Sequence, residues 1–331
     1  MTGLVEIRSP NELASLEPGR VTPIATESLV REAPDAHWVL LDAHDIPAAR
    51  CSLWWKQVPL LPAQGLGVIG HYAAADAPLG NNLLRHACAQ LAAKGCTMAV
   101  GPMDGNTWRR YRFITERGDE PAFFLEPDNP DDWPQHFAAA GFSPLATYTS
   151  ALNTDLGRRD ERTQSISENI AGMRIMIRQV LAAQMEEELR RIYTMSLASF
   201  QKNFLYTPVD EGEFLAQYSK VLPYVRPELV LLAERDEQPV GFIFALPDVL
   251  KQKRQEPNDT IIIKTVAVVP QFSGVGLGSL LVARAQQNAH ELGFTRAIHA
   301  LMHESNRSRN ISHHTAVTMR RYSLFSRALS S

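Results

Sequence analysis

The chain has few cysteines, no long apolar run and no surplus of positive charge. Its 331 residues include three cysteines, Cys51, Cys88 and Cys96. The number is odd and the spacing fits no metal-ligand pattern. That argues against a disulfide framework or a metal site, and for reduced thiols in a cytoplasmic protein. No stretch reaches the ~18 apolar residues of a membrane span. Met1-Thr2-Gly3-Leu4-Val5-Glu6 has neither the basic start nor the apolar core of a secretory leader. The formal net charge is -3, so no overall basic field draws the chain to nucleic acid. What is present is an ordinary globular composition, 45% hydrophobic and 21% charged, at a length that suits two domains.

The richest stretch runs from Thr265 to Leu281. An apolar strand, Val266, Ala267, Val268 and Val269, stops at Pro270. Gln271, Phe272 and Ser273 lead into Gly274, Gly276 and Gly278, separated by Val275 and Leu277. Ser279 and an amphipathic helix follow at once. Glycines leave backbone amides uncovered, and the helix adds its positive N-terminal end, which suits a pyrophosphate. Dinucleotide sites use similar glycines, but there an acidic residue ends the following strand about 20 residues on. Here Arg296-Ala297-Ile298-His299 stands in that place. With Pro270 before Gln271-x-x-Gly274-x-Gly276 and Leu277-Gly278 after it, the segment resembles the acyl-CoA loop of the GNAT superfamily of N-acyltransferases.

Periodicity extends the resemblance. Met185, Leu189, Ile192 and Leu197 predict a helix over Ala183 to Phe200, and a second is expected over Asp210 to Val221. Strands are expected near 229–235, 239–246 and 261–269, then a helix capped by Gly293 and a strand over Arg296 to Met302. This order is similar to that of the GNAT superfamily over residues 173–328. Lys251-Gln252-Lys253-Arg254 reads as a solvated hairpin tip, with a nucleic-acid patch as the sharper alternative.

The unit occurs twice. Trp38 to Ala49 parallels Leu229 to Gly241, each an apolar strand, a polar turn and a second strand. Val68-Ile69-Gly70-His71-Tyr72 sits where Val266 to Val269 sits, and Leu83-Leu84 opens a helix ending at Gly95 as Leu280-Leu281 opens one ending at Gly293. The expected fold is therefore α/β (α+β), with two tandem GNAT-like units, each a mixed, mostly antiparallel sheet flanked by helices. Residues 1–155 form the first unit and 156–331 the second. The boundary is placed in the polar stretch Asn153 to Asn169, which has no apolar periodicity. The first copy has Ala73 to Asn82 in place of the glycine loop. Asp76 puts a carboxylate there and Pro78 removes an amide, so this copy is read as having lost CoA binding.

The resemblance implies transfer of an acyl group, acetyl above all, from a CoA thioester to an amine by direct attack, with no metal. The acceptor is a small-molecule amine or a peptide or protein amine. Pantetheine is expected along the backbone of Val266 and Val268 beside Ala267. The amide of Val268 or Val269 is the expected oxyanion donor, and amides from Phe272 to Ser279 hold the pyrophosphate. Asn306 resembles the family Asn that contacts the pantetheine arm, or else caps a helix. Many relatives have a Tyr four residues before a Gly as acid for the leaving thiolate. Here Ser312 falls there, four before Ala316, with His313 beside it and Ser308 as a weaker candidate. The base is left among Lys264, His303, Glu304 and a water chain; Lys264 qualifies only if burial depresses its pKa. Two loops of the first copy, 101–112 and 121–133, are either rigid structural loops or an acceptor pocket lined by Asp104, Trp108 and Glu126, with Tyr206 from the second. The missing Tyr and Glu leave one rival, a non-catalytic acyl-CoA-binding pseudoenzyme acting as sensor or scaffold. A NAD enzyme is a distant third.

Overall fold

The computed structural model describes residues 3–16, 19–158, 161–305 and 316–330. The first half runs β1 (Gly3–Ile7), α1 (Pro10–Ala14), α2 (Thr26–Glu32), β2 (Ala36–Leu41), β3 (Pro47–Trp54), β4 (Leu66–Ala74), α3 (Ala77–Ala93), β5 (Met98–Gly101), β6 (Phe113–Glu116), α4 (Trp133–Ala139) and β7 (Ser143–Asn153). The second runs α5 (Arg162–Gly172), β8 (Met176–Gln179), α6 (Met185–Phe200), α7 (Glu211–Ser219), β9 (Val230–Arg235), β10 (Gln238–Pro247), α8 (Val249–Lys253), β11 (Thr260–Val268), α9 (Leu277–Glu291), β12 (Arg296–His303) and β13 (Val317–Ala328). From β1 and from β8 the order is the same apart from the short α8 inserted between β10 and β11: a strand, two helices, three antiparallel strands, a helix and a parallel strand. The chain is two tandem copies of one mixed α/β unit.

The copies share one sheet of thirteen strands among the described residues. Its order is β1-β2-β3-β4-β5-β13-β7-β12-β11-β10-β9-β8, with β6 beside β13. The last strand of each half therefore sits in the other half's sheet. β13 lies between β5 and β7, with Phe325 opposite Gly101 and Tyr322 opposite Tyr148. β7 lies against β12, with Asn153 opposite Ala297. Neither half can close its sheet alone.

Apolar helix faces cover the sheet. Leu277, Leu280, Leu281, Ala285 and Ala289 recur at helical spacing on α9 and pack on β9, β10 and β11. α6 and α7 cover the opposite face with Leu189, Ile192, Met195 and Phe214. Covered on both sides, β11 carries the continuous buried run Ile261, Ile262, Ile263. In the first half α3 does the work of α9 with Leu83, Leu84, Ala87 and Leu91.

Three local expectations change. The polar stretch after Asn153 is not all linker: α5 forms there, and Ile166 and Ile170, one helical turn apart, anchor it to the α9 side of the core. Lys251 to Arg254 is not a solvated hairpin tip. It lies on α8 and its end, with Lys251 buried and 2.6 Å from Asp259 and Arg254 bonded to Glu256 and the Ala122 carbonyl. The helix expected to open at Leu83 begins six residues earlier, at Ala77, because Asp76 caps it and Pro78 fits its first turn.

Candidate functional site

β11 and β12 pair in parallel only from Thr260 opposite Arg296 to Ile263 opposite His299. Beyond that they part. On β12 the register against β7 shifts between His299 and Met302, Leu301 takes a left-handed φ of 58°, and its amide donates to Ser150 Oγ at 3.0 Å. On β11 the register against β10 slips by one residue at Lys264. The Val269 amide donates to the Val240 carbonyl at 3.0 Å, so it faces β10. Strand alternation then turns the backbone groups of Val266 and Val268 into the gap. Of the two amides expected to meet a thioester oxygen, Val269's is spent and Val268's is free to do so.

The glycine loop follows directly. Residues 270–272 form one 3-10 turn, which uses the amides of Phe272 and Ser273 on the carbonyls of Val269 and Pro270. The exposed cradle is thus shorter than expected. Gly274 and Gly276 take φ of 90° and 92°, and α9 starts at Leu277 without a side-chain cap. Among the described residues no backbone carbonyl accepts from the amides of Gly274 through Ser279. Unclaimed amides at a helix N-terminus form an anion site. A Cβ at Gly276 would lie 2.9 Å from Ile166 of α5, so this glycine is fixed by packing as well as by φ.

The first copy has the opposite chemistry at the same place. Two residues, not eight, separate β4 from α3. Asp76 accepts the Leu79 amide at 3.1 Å and pairs with Arg20 at 3.0 Å. The helix end is closed by its own carboxylate. The strand gap is closed too, since a Cβ at Gly70 would fall 2.1 Å from the Met103 carbonyl oxygen.

Between the copies lies a cleft. A cavity of about 460 Å³ opens off the gap beside Lys264, Thr265, Ala300 and His303, and a second of about 750 Å³ extends it toward Arg109 and Arg110. They adjoin along Trp108, Tyr111, Arg112, Tyr218 and Leu301. The loops 101–112 and 121–133 of the first half form one wall. Trp108 bonds the Thr207 carbonyl at 2.7 Å and packs on Phe200, Tyr206 and Phe214. Tyr206 lines the first cavity, its hydroxyl buried without a partner. Asp104 sits deeper. Its carboxylate accepts the His71 amide at 2.6 Å, and burial pushes its pKa up. The fully buried Glu126 carboxylate is held by Arg320 at 2.7 Å and by the Tyr322 hydroxyl, so it braces β13 rather than facing a ligand.

The structure gathers a network that the sequence did not disclose. His37 and His71 flank Ser52 Oγ at 2.7 and 2.8 Å, and His71 Nε2 meets Glu32 at 2.8 Å. Metal-ligand atoms of Glu32, His71 and Asp104 lie within 4.8 Å of one another. Arg31 pairs with the same Glu32, and Arg109 donates to the carbonyls of Glu32 and Asp104.

Of the proton-transfer candidates, His303 alone of the β12 pair lines the cleft. Burial first, then the charge of Arg112, lowers its pKa and keeps the ring neutral. Its Nδ1 accepts the Ser305 amide at 3.1 Å, so Nε2 carries the hydrogen, and Nε2 is buried without a partner. Glu304 turns away to the Thr147 hydroxyl at 2.9 Å and toward Arg321. Lys264 stands over the Tyr218 ring, its Nζ 5.1 Å from the centroid. Asn306, Ser308, Ser312 and His313 lie outside the described residues.

The sequence profile of the acetyltransferase (GNAT) family matches residues 185–312. No curated protein sequence matches the chain. Several solved structures share the fold. The GCN5-related glucosamine N-acetyltransferase region of a fungal multi-domain GH3 β-N-acetylglucosaminidase superposes with a TM-score of 0.56 at 12% identity, over 99% of this chain and 38% of that one. This chain thus spans well under half of that protein. A tandem GNAT protein from the clavulanic acid biosynthesis pathway gives 0.52 at 12% identity over 100% and 99%. A GCN5-related N-acetyltransferase from Sphaerobacter thermophilus gives 0.50 at 12% over 99% and 96%. At such identities the likeness is one of fold.

Proposed function

We propose that this chain, a tandem GNAT-like protein with a GNAT-family domain at residues 185–312, transfers an acetyl group from acetyl-CoA to an amine in the second half's gap. The observation that carries this reading is the open β11–β12 gap leading directly to the bare amides of Gly274 through Ser279. Those amides suit the pyrophosphate, and the backbone of Val266 and Val268 suits the pantetheine arm as an added strand.

The acceptor nitrogen attacks the thioester carbon, and the Val268 amide supports the oxygen as it gains charge. The C–S bond breaks, the thiolate takes a proton, and the nitrogen loses one. His303 offers Nε2–H, a donor, to the cleft, so the ammonium's proton leaves to water there. The role of acid for the thiolate falls to Ser312, with His313 beside it and Ser308 as a weaker candidate. The first copy, closed at both its gap and its helix end, supplies a wall of the acceptor cleft.

Release of CoA thiol from acetyl-CoA in the presence of a panel of amines tests the reading. Acceptor-dependent release supports it. Acetyl-CoA binding with no release for any amine, peptide amines included, favours the sensor or scaffold.

A further inference from the structure

Arg112 is a buried guanidinium on the wall of the cleft, stacked between Tyr111 and Tyr148. It is 7% exposed, yet its Nε and Nη1 have no hydrogen-bond partner. Its carbon lies 4.0 Å from the centre of the Tyr111 ring and 4.3 Å from that of Tyr148. Two aromatic faces soften the burial of the charge but leave its in-plane donors unmet. The residue also holds a left-handed φ of 69°, which is costly for a side chain of this size. It lines both cavities of the cleft and a third, of about 260 Å³, beside His71.

The acids around it are committed elsewhere. Glu126 is bound to Arg320, Glu213 to Arg109, Glu32 to His71 and Arg31, and Asp128 to Arg117. Among the described residues Lys264 meets the Tyr218 ring, and Arg110 donates to the Asp128 carbonyl and lies within the field of Asp104. Asp104, on the same cavity wall, accepts the His71 amide, while Nε and Nη1 of Arg112 are buried donors with no hydrogen-bond partner. Nε–H and Nη1–H lie on different edges of the guanidinium, and each offers one charge-assisted hydrogen bond to a carboxylate oxygen. The distance to the reaction is short. His303, at the edge of the gap, packs on the same Tyr148 ring, with centroids 4.9 Å apart.

We infer that the acceptor is a small amine that also bears a carboxylate, and that Arg112 holds this carboxylate while the amine points into the β11–β12 gap. The inference rests on the acyl-transfer reading for the amine's fate but not for carboxylate binding. Tyr111 and Tyr148 fix the guanidinium in place, so Arg112 acts in recognition and the amine reacts a few bonds away. A carboxylate buried there loses its water, and only a charged partner replaces it; a carboxamide of the same shape gains much less.

The test pairs each common amino acid with its carboxamide. CoA release should favour the acid over the amide at least tenfold in kcat/KM for the best pair. Arg112→Gln and Arg112→Lys should raise the acceptor's KM tenfold or more, remove that preference, and leave acetyl-CoA affinity unchanged. A wild type that prefers amides, or an Arg112→Gln protein that keeps the preference, overturns the inference. A second readout does not depend on turnover or on folding of the variants. In the free wild-type protein the Arg112 Nε–H resonance should shift on addition of the amino acids and not of the carboxamides. No shift with any of the amino acids overturns the inference even if acetyl-CoA binds. A shift without acetyl-CoA binding would support it while removing the acyl-transfer reading.

Discussion

Ser279 is the third residue of α9, at an amino end that lacks a side-chain cap. Asp76 closes the matching end of α3 with a carboxylate, so the chain contains its own model for disabling the site. Ser279→Glu should add a favourable charge to the helix dipole, of about 0.3–1 kcal/mol, while repelling a pyrophosphate. Thermal melting should hold or rise, and acetyl-CoA affinity should fall tenfold or more by titration. Unchanged affinity would separate the loop from phosphate binding. Gly276→Val is a poorer probe, because its side chain meets Ile166 first and its φ disfavours any Cβ. Two buried histidines set a pH limit at the same scale. Burial pushes His37 down to about 3 and His299 to about 4. Both are neutral in the fold but protonate near 6.5 when unfolded, so their stabilisation is complete above that pH and lost below it. Each should cost about 1.4 kcal/mol per pH unit between about 6.5 and 5. Urea unfolding across this range should show the slope, and His299→Gln should reduce it by one proton's worth. A flat profile contradicts the burial of neutral rings.

Elements read from local chemistry were the legible part. The glycine loop, the helix at Met185–Phe200 and the strands around it follow from spacing that neighbours in sequence enforce. The strand exchange was not legible, because nothing local to Ser143–Asn153 or Val317–Ala328 says which sheet each will enter. Partners such as Tyr322 and Tyr148 are far apart in the chain. Arg112 escaped notice for the same reason: that no carboxylate among the described residues pairs with it is visible only once Tyr148 and Arg320 are in place. The exchange makes a prediction of its own. Residues 1–155 and 156–331 expressed separately should each expose unpaired strand edges and aggregate, and together should reassemble as one complex. Two monomeric, cooperatively folded halves would contradict the shared sheet.

On the scale of the whole molecule, the cleft exists because the first half's loops reach the second half's gap. Trp108 is the clearest link, wedged among Phe200, Tyr206 and Phe214 with its N–H on Thr207. Trp108→Ala would remove a large buried side chain at a cost of about 3–5 kcal/mol, which would blur any kinetic effect. Trp108→Phe keeps most of the packing. It should raise the acceptor's KM several-fold and leave acetyl-CoA affinity alone; normal kinetics with a lower melting temperature would make Trp108 a strut only. No helix among the described residues is long and apolar enough to cross a membrane.

The central claim is that one copy binds acetyl-CoA and the other has closed its site. Isothermal titration of the full chain with acetyl-CoA tests it most directly. One site per chain in the wild type, lost in Ser279→Glu, is the predicted result. Two equal sites, or no heat of binding at all, would contradict it.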